Sequence, residues 1–166
     1  RVLELALRST EQKAKRAAFE PGDPLGEAYR VVRLIGQGAA GSVYEVVRLE
    51  DERHLAAKVL TPRADQAAMV RFAREAQILA RLHHPSLISI IDIDVLPSGV
   101  PFLVMELVLG KSLKLCRERF GSLGFVLPVL RKIAEGLAAI HDSGIVHRDL
   151  KPANVLIADV QSEGAP

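Results

Sequence analysis

The sequence predicts an α+β fold: a small unit of five-stranded antiparallel sheet plus one helix, followed by the beginning of a helical unit. Three observations predict it. Five short runs of strand character lie between Tyr29 and Glu106, separated by turns rich in Gly, Pro or Asp. One helical pattern, Asp65 to about Leu82, interrupts them. A longer one, Phe125–Ser143, follows them.

Arg1–Glu20 reads as a polar helix, with Leu3, Leu7 and Ala14 near one side. Pro21-Gly22-Asp23-Pro24 breaks it. The expected division is therefore an N-terminal helical extension or linker, 1–24, and a domain, 25–166, split into a sheet unit of about 25–109 and a helical unit of about 110–166. Tyr29–Ile35 and Val43–Leu49 alternate as the first two strands, with Gly36-Gln37-Gly38-Ala39-Ala40-Gly41-Ser42 between them. Leu55–Leu60 is the third strand. Its period of two puts Ala56, Lys58 and Leu60 on one face and Leu55, Ala57 and Val59 on the other. Asp65 caps the first helix, in which Phe72, Glu75, Ala76 and Leu79 share a stripe. His83-His84-Pro85 ends it, and the two histidines read as structural. Ile88–Val95 and Pro101–Glu106 are the fourth and fifth strands, hinged at Pro97-Ser98-Gly99. Beyond Gly110, Ser112–Phe120 is a short helical pattern. In the long helix Val126, Leu130, Ile133, Leu137 and Ile140 form an apolar stripe, Pro128 falls in the first turn and Gly144 is the stop. Val155–Ile157 is a last short strand.

Composition narrows the function classes. The chain has 166 residues, is 49% hydrophobic and 25% charged, and so is globular rather than disordered. A net charge of +2 gives no reason to expect nucleic acid or an anionic membrane as a partner. No apolar run approaches the roughly 18 residues of a membrane span. The charged first twenty residues are not a secretory signal. The single cysteine, Cys116, fits a reducing compartment, and the expected location is cytoplasmic.

Three groups of residues carry chemistry. In the first glycine-rich turn, the missing Cβ atoms let backbone N–H groups approach phosphate oxygens. A dinucleotide fold joins such a turn to a helix; here strand follows strand. The second group is a pair. Lys58 stands mid-strand among apolar residues, and Glu75 stands on an apolar helix stripe. Each is costly to bury alone, so each explains the other. The third is His147-Arg148-Asp149-Leu150-Lys151-Pro152-Ala153-Asn154-Val155-Leu156. Within six positions it offers a carboxylate, an ammonium and a carboxamide. Phosphoryl transfer requires a holder for the nucleophile's hydroxyl, a cation near the moving phosphate and an oxygen ligand for magnesium. Pro152 fixes its own φ and pushes Lys151 out of helical geometry.

These motifs, in this order, resemble those of eukaryotic-like serine/threonine protein kinases in a bacterial style, over about Tyr29 to Ile157. The resemblance implies a protein-kinase-like fold, ATP and Mg2+ as cofactors, and a protein substrate with a Ser or Thr acceptor. It implies that Asp149 and Lys151 are catalytic and that Asn154 binds metal. It implies an ATP site formed by Ile35, Gly36, Gln37, Gly38, Ala39, Ala40, Gly41, Ser42, Val43, Ala56, Lys58, Glu75, Met105, Glu106, Val108 and Leu156. In it Glu106 and Val108 offer main-chain groups to adenine, Met105 guards the back, and Leu156 is the floor opposite Val43 and Ala56. Arg148 would pair with a phosphorylated residue of an activation segment. Ala40 departs from the bulkier tip residue often found in the family.

The family's Asp-Phe-Gly triplet is not in the sequence; Asp159 is too close to Asn154 and precedes Val160. The expectation is a kinase domain truncated before that triplet, inactive as a fragment and poorly folded in its second half. A pseudokinase or ATP-binding regulatory module is the alternative reading, and a small-molecule kinase a weaker one. The substrate, the activating signal and the oligomeric state leave no trace in the residues.

Overall fold

The computed structural model describes residues 19–38, 41–60 and 80–159. The chain falls into two compact units, Arg1–Ala73 with Ile91–Met105, and Arg74–Ile90 with Glu106–Pro166. The first helical extension and the Asp65–Leu82 helix lie outside the described residues, apart from their last few positions.

The first unit is built on a sheet of order β1-β2-β3-β4-β6-β5. Its strands are β1 (Pro24–Leu25), β2 (Tyr29–Gly38), β3 (Gly41–Arg48), β4 (His54–Leu60), β5 (Ile90–Val95) and β6 (Pro101–Glu106). The pairs β1·β2, β2·β3 and β3·β4 are antiparallel. The five expected strands are present, and the sixth, β1, was not foreseen. It runs across the position expected to end the linker. Pro24 lacks an N–H, which suits an edge strand and reads as a breaker in sequence. Gly22 N–H donates to the Val31 carbonyl (2.8 Å) and Val31 N–H to the Asp23 carbonyl (2.9 Å), so this segment belongs to the sheet.

The alternation of β4 holds: Leu55, Ala57 and Val59 enter the core with Leu25, Tyr29, Val31, Tyr44, Val46, Phe102 and Val104. Fully burying the Leu, Val and Phe side chains of this cluster contributes about 1.5–3 kcal/mol each. Phe19 packs edge-on against Tyr44, with ring centroids 5.6 Å apart, and its N–H donates to the Tyr44 hydroxyl. The Tyr29 hydroxyl donates to Asp92 of β5 (2.8 Å). Burial, then that carboxylate, pushes the Tyr29 phenol up to about 12. At the β3–β4 turn Arg48 makes a two-point bond to Asp51, which draws the Asp51 carboxyl down to about 2.

The second unit holds β7 (Gly110–Ser112), a 3-10 segment η1 (Leu113–Arg119), the helix α1 (Leu123–Asp142), a short 3-10 turn η2 (Pro152–Asn154) and β8 (Leu156–Ala158). The helical pattern expected over Ser112–Phe120 is thus a 3-10 segment, broken by non-helical angles at Cys116. Helix α1 starts two residues before Phe125, so Pro128 lies inside it rather than in its first turn. Of the expected stripe only Ile140 is buried; the packed face runs through Phe125, Gly136 and Ile140, and Leu130 is exposed. A Cβ on Gly136 would meet Leu87 at 3.2 Å and the Ser86 carbonyl at 3.3 Å, so the helix needs hydrogen at that point to approach this segment. Gly144 N–H closes the helix on the His141 carbonyl (2.8 Å).

Candidate active site

The glycine-rich segment and Lys58 belong to the first unit. Gly38 pairs with Gly41 at the hairpin end, and the register slips between Val31 and Arg33 and between Leu34 and Gly36. The second slip falls at Ile35, which is exposed. Ala39 and Ala40 lie outside the described residues. A Cβ added at Gly36 or Gly38 meets no atom of the described residues within 4 Å. Packing among the described residues therefore does not demand these glycines, whereas close approach of a ligand to the backbone would. Gly41 is different, since its Cβ would overlap the Val59 carbonyl of β4. It is required by the sheet itself. Ser42 is buried on the same face of β3 as Tyr44 and Val46, so only its main chain is left for a phosphate.

Val43 lies opposite Lys58, and Ala56 opposite Glu45. Period two puts Val43, Glu45, Ala56 and Lys58 on one face of the β3–β4 pair, away from the Leu55, Ala57 and Val59 core. Lys58 is half-buried. Glu75, its expected partner, lies outside the described residues. Within this row Glu45 centres a cluster that the sequence reading missed. Glu45, 10% exposed in its side chain, accepts from Arg33 of β2 (2.7 Å) and bonds His54 of β4 (2.7 Å). The signal was available in the direct cross-strand pairing of Arg33 with Glu45, but the bulges of β2 hid the register. Met105, half-buried, is the penultimate residue of β6.

In the second unit, Glu106 N–H donates to the Ser89 carbonyl (3.0 Å), and its side chain accepts from Ser89 N–H (3.0 Å). What Glu106 still has to offer is its main-chain carbonyl. Val108 is half-buried in the irregular stretch before β7. β7 then pairs antiparallel with β8, setting Gly110 opposite Ala158 and Ser112 opposite the exposed Leu156. The ladder is extended by Leu113 N–H to the Val155 carbonyl (2.8 Å) and Asp159 N–H to the Leu109 carbonyl (2.9 Å). A Cβ at Gly110 would overlap the Ile157 carbonyl, so the pairing needs glycine there.

The loop leading into β8 is tightly bonded. Asp149 N–H donates to the His147 carbonyl (2.8 Å) across Arg148, whose φ is +58°. This three-residue turn with positive φ is rare and strained for a non-glycine residue. Lys151 is extended, as Pro152 requires (φ −154°, ψ 157°). Its ammonium donates to both Asp149 oxygens, at 2.8 and 2.9 Å. The turn η2 then brings Asn154 back, and its Nδ2 donates to the Asp149 carbonyl (2.8 Å) and carboxylate (2.9 Å). Lys151 first, then Asn154, hold the Asp149 carboxyl below the usual carboxylate range. With Nδ2 so used, Asn154 Oδ1 is the atom left to face a cation. Magnesium takes one or two protein oxygens and completes its shell with phosphates and water, so this donor set fits it. The structure thus brings Asp149, Lys151 and Asn154 into one hydrogen-bonded group.

The protein kinase domain pattern matches residues 29–163. The chain belongs to the protein kinase family. Among relatives of this kinase-family chain, the Myxococcus xanthus serine/threonine-protein kinase pkn2 is 45% identical over 134 residues, covering 78% of the chain and 16% of the relative. The serine/threonine-protein kinase pkn3 of the same organism is 35% identical, covering 86% of the chain and 27% of the relative. The Mycobacterium tuberculosis PknK is 36% identical, with 84% and 13% covered. The chain therefore spans about a quarter or less of the length of these relatives. A crystal structure of the Mycobacterium tuberculosis PknI kinase domain superposes with a TM-score of 0.73 at 33% identity, covering 85% of this chain and 59% of that one. The kinase fold expected from the motifs is the fold found. No described helix is long and apolar enough to cross a membrane.

Proposed function

We propose that the protein containing this chain is a serine/threonine protein kinase that transfers the γ-phosphate of ATP to Ser or Thr hydroxyls of proteins. The observation that carries the reading is the Asp149–Lys151–Asn154 group, with an ionised carboxylate held by an ammonium and a carboxamide. In this reading Asp149 orients the acceptor hydroxyl and takes its proton. Lys151 balances charge on the moving phosphoryl group, and Asn154 Oδ1 would hold magnesium, which would supply charge neutralisation at the phosphates. This reading assigns Lys58, Glu75 and the Gly36–Gly41 backbone to the ATP phosphates. It assigns to adenine Ile35, Val43, Ala56 and Met105 of the first unit, and Leu156, the Glu106 carbonyl and the Val108 main chain of the second. Most of the acceleration in such a site comes from positioning and fixed charge. The reading includes a domain boundary ahead of the sheet, a cytoplasmic location for this stretch, and Arg148 as the partner of a regulatory phosphate.

The test is Asp149→Asn in the full-length protein. Phosphorylation of a protein acceptor should fall by about 10²–10⁴-fold, with an unchanged circular dichroism spectrum. Undiminished transfer by the variant sinks the assignment.

A further inference from the structure

The stretch Lys111–Arg119 carries four cations and one carboxylate. It is not remote from the chemistry. Leu113 N–H bonds the carbonyl of Val155, the residue after Asn154, and η1 packs against η2. Cys116, where the segment kinks, is fully buried, and Leu113 is half-buried. Lys114 and Arg117, one on each side of the kink, are both exposed. Arg119 is taken up by the Phe125 ring, 3.9 Å from its centroid. Lys111 is exposed on β7, opposite Ile157. Among the described residues, Lys111, Lys114 and Arg117 form no salt bridge, whereas Arg131 pairs with Glu135 and Lys151 with Asp149.

Three cations with no ion-pair partner among the described residues thus stand on segments joined to the loop that presents Asp149. A peptide whose hydroxyl sits at Asp149 extends about 3.3–3.6 Å per residue, and η1, which carries Lys114 and Arg117, packs against the η2 turn that follows Asp149. We infer that Lys111, Lys114 and Arg117 form a docking surface for acidic substrate peptides, selecting acceptors flanked by Asp or Glu. The inference rests on the kinase reading for the identity of the partner. The surface is too small and the net charge of +2 too low for a nucleic-acid track. Exposed ion pairs are individually weak, but three acting on one peptide add up and are screened by salt.

The experiment is equilibrium binding of fluorescent peptides to the full-length protein, which does not depend on turnover. The probes are a Ser peptide flanked by glutamates, the same peptide with glutamines, and a single-stranded oligonucleotide of equal charge. The acidic peptide should bind about tenfold more tightly than the neutral one at low salt, with the difference lost at high salt. In the triple variant Lys111→Gln, Lys114→Gln, Arg117→Gln the two peptides should bind alike. Each single variant should remove part of the preference, which covers failure of the triple variant to fold. Equal binding of both peptides to the native protein overturns the inference. So does a preference that survives in a folded triple variant, or an oligonucleotide that binds as tightly as the acidic peptide. Phosphorylation of the same peptides is then measured. Charge-selective binding with no phosphate transferred to either would sink the kinase reading alone, and transfer to both at equal rates with equal binding would sink this inference alone.

Discussion

Asp149 accepts two bonds from one ammonium and one from a carboxamide, and each favours the ionised form. A carboxyl lowered in this way supports the folded loop at any pH above its ordinary value of 3.8, and that support is lost as pH falls through the lower folded value. Loss of activity above about pH 4 should therefore not come from Asp149. Changing Lys151→Met removes the largest cause of the shift, so the Asp149 titration midpoint should move up towards its ordinary value. A carbon-13 titration of the Asp149 carboxyl measures this; an unmoved midpoint would mean that Asn154 alone sets it. At this scale the sequence was informative, because Asp149, Lys151, Pro152 and Asn154 act within one short loop where spacing dictates reach. It did not single out Glu45, whose partners Arg33 and His54 come from two other strands and whose pairing with Arg33 depends on the bulged register of β2.

Strands were legible as elements because each is a short run between strong turn signals, as in Pro101–Glu106, which was read with its observed bounds. The two-residue β1 has no period to read and opens on a proline. The 3-10 segment was misjudged for a related reason: seven residues with Leu113 and Cys116 inside fit a period of three or of 3.6 equally well. At this level Gly110 makes the clearest demand, since its hydrogen lies against the Ile157 carbonyl. Gly110→Ala should cost about 1–3 kcal/mol through strain or a displaced strand. The amides of Leu113 and Asp159, which extend the β7–β8 ladder, should lose hydrogen-exchange protection in the variant. Unchanged protection with an unchanged melting temperature would show that β8 yields freely.

The molecule as a whole is uneven in its packing. Ten buried residues form one cluster in the sheet unit. In the second unit the buried hydrophobic residues among those described are Cys116, Phe125 and Ile140, while Leu123, Leu127 and Leu130 of α1 are 72%, 59% and 55% exposed. Apolar burial is the main source of opening free energy, so local stability should follow this contrast. Native-state hydrogen exchange should protect β2, β3, β4 and β6 of this chain more strongly than α1 and β8. Equal protection would show that the second unit draws stability from something other than its own core. The uneven burial of α1 could not be read from its sequence. Leucine occurs all round that helix, and tertiary contact at Gly136, a residue with no hydrophobic signal, decides which side is packed.

The pairing of β7 with β8 has a further consequence, for tolerance to inserted sequence. Its flanking bonds, Leu113 to Val155 and Asp159 to Leu109, close a single loop of roughly forty residues that contains α1. The entropy of closing a loop grows only logarithmically, and doubling its length costs about 0.6 kcal/mol. The turn at Phe120-Gly121-Ser122 between η1 and α1 is exposed throughout. A reporter peptide of several residues spliced into that turn would leave the loop closed at almost the same free energy, and the Asp149 group with it.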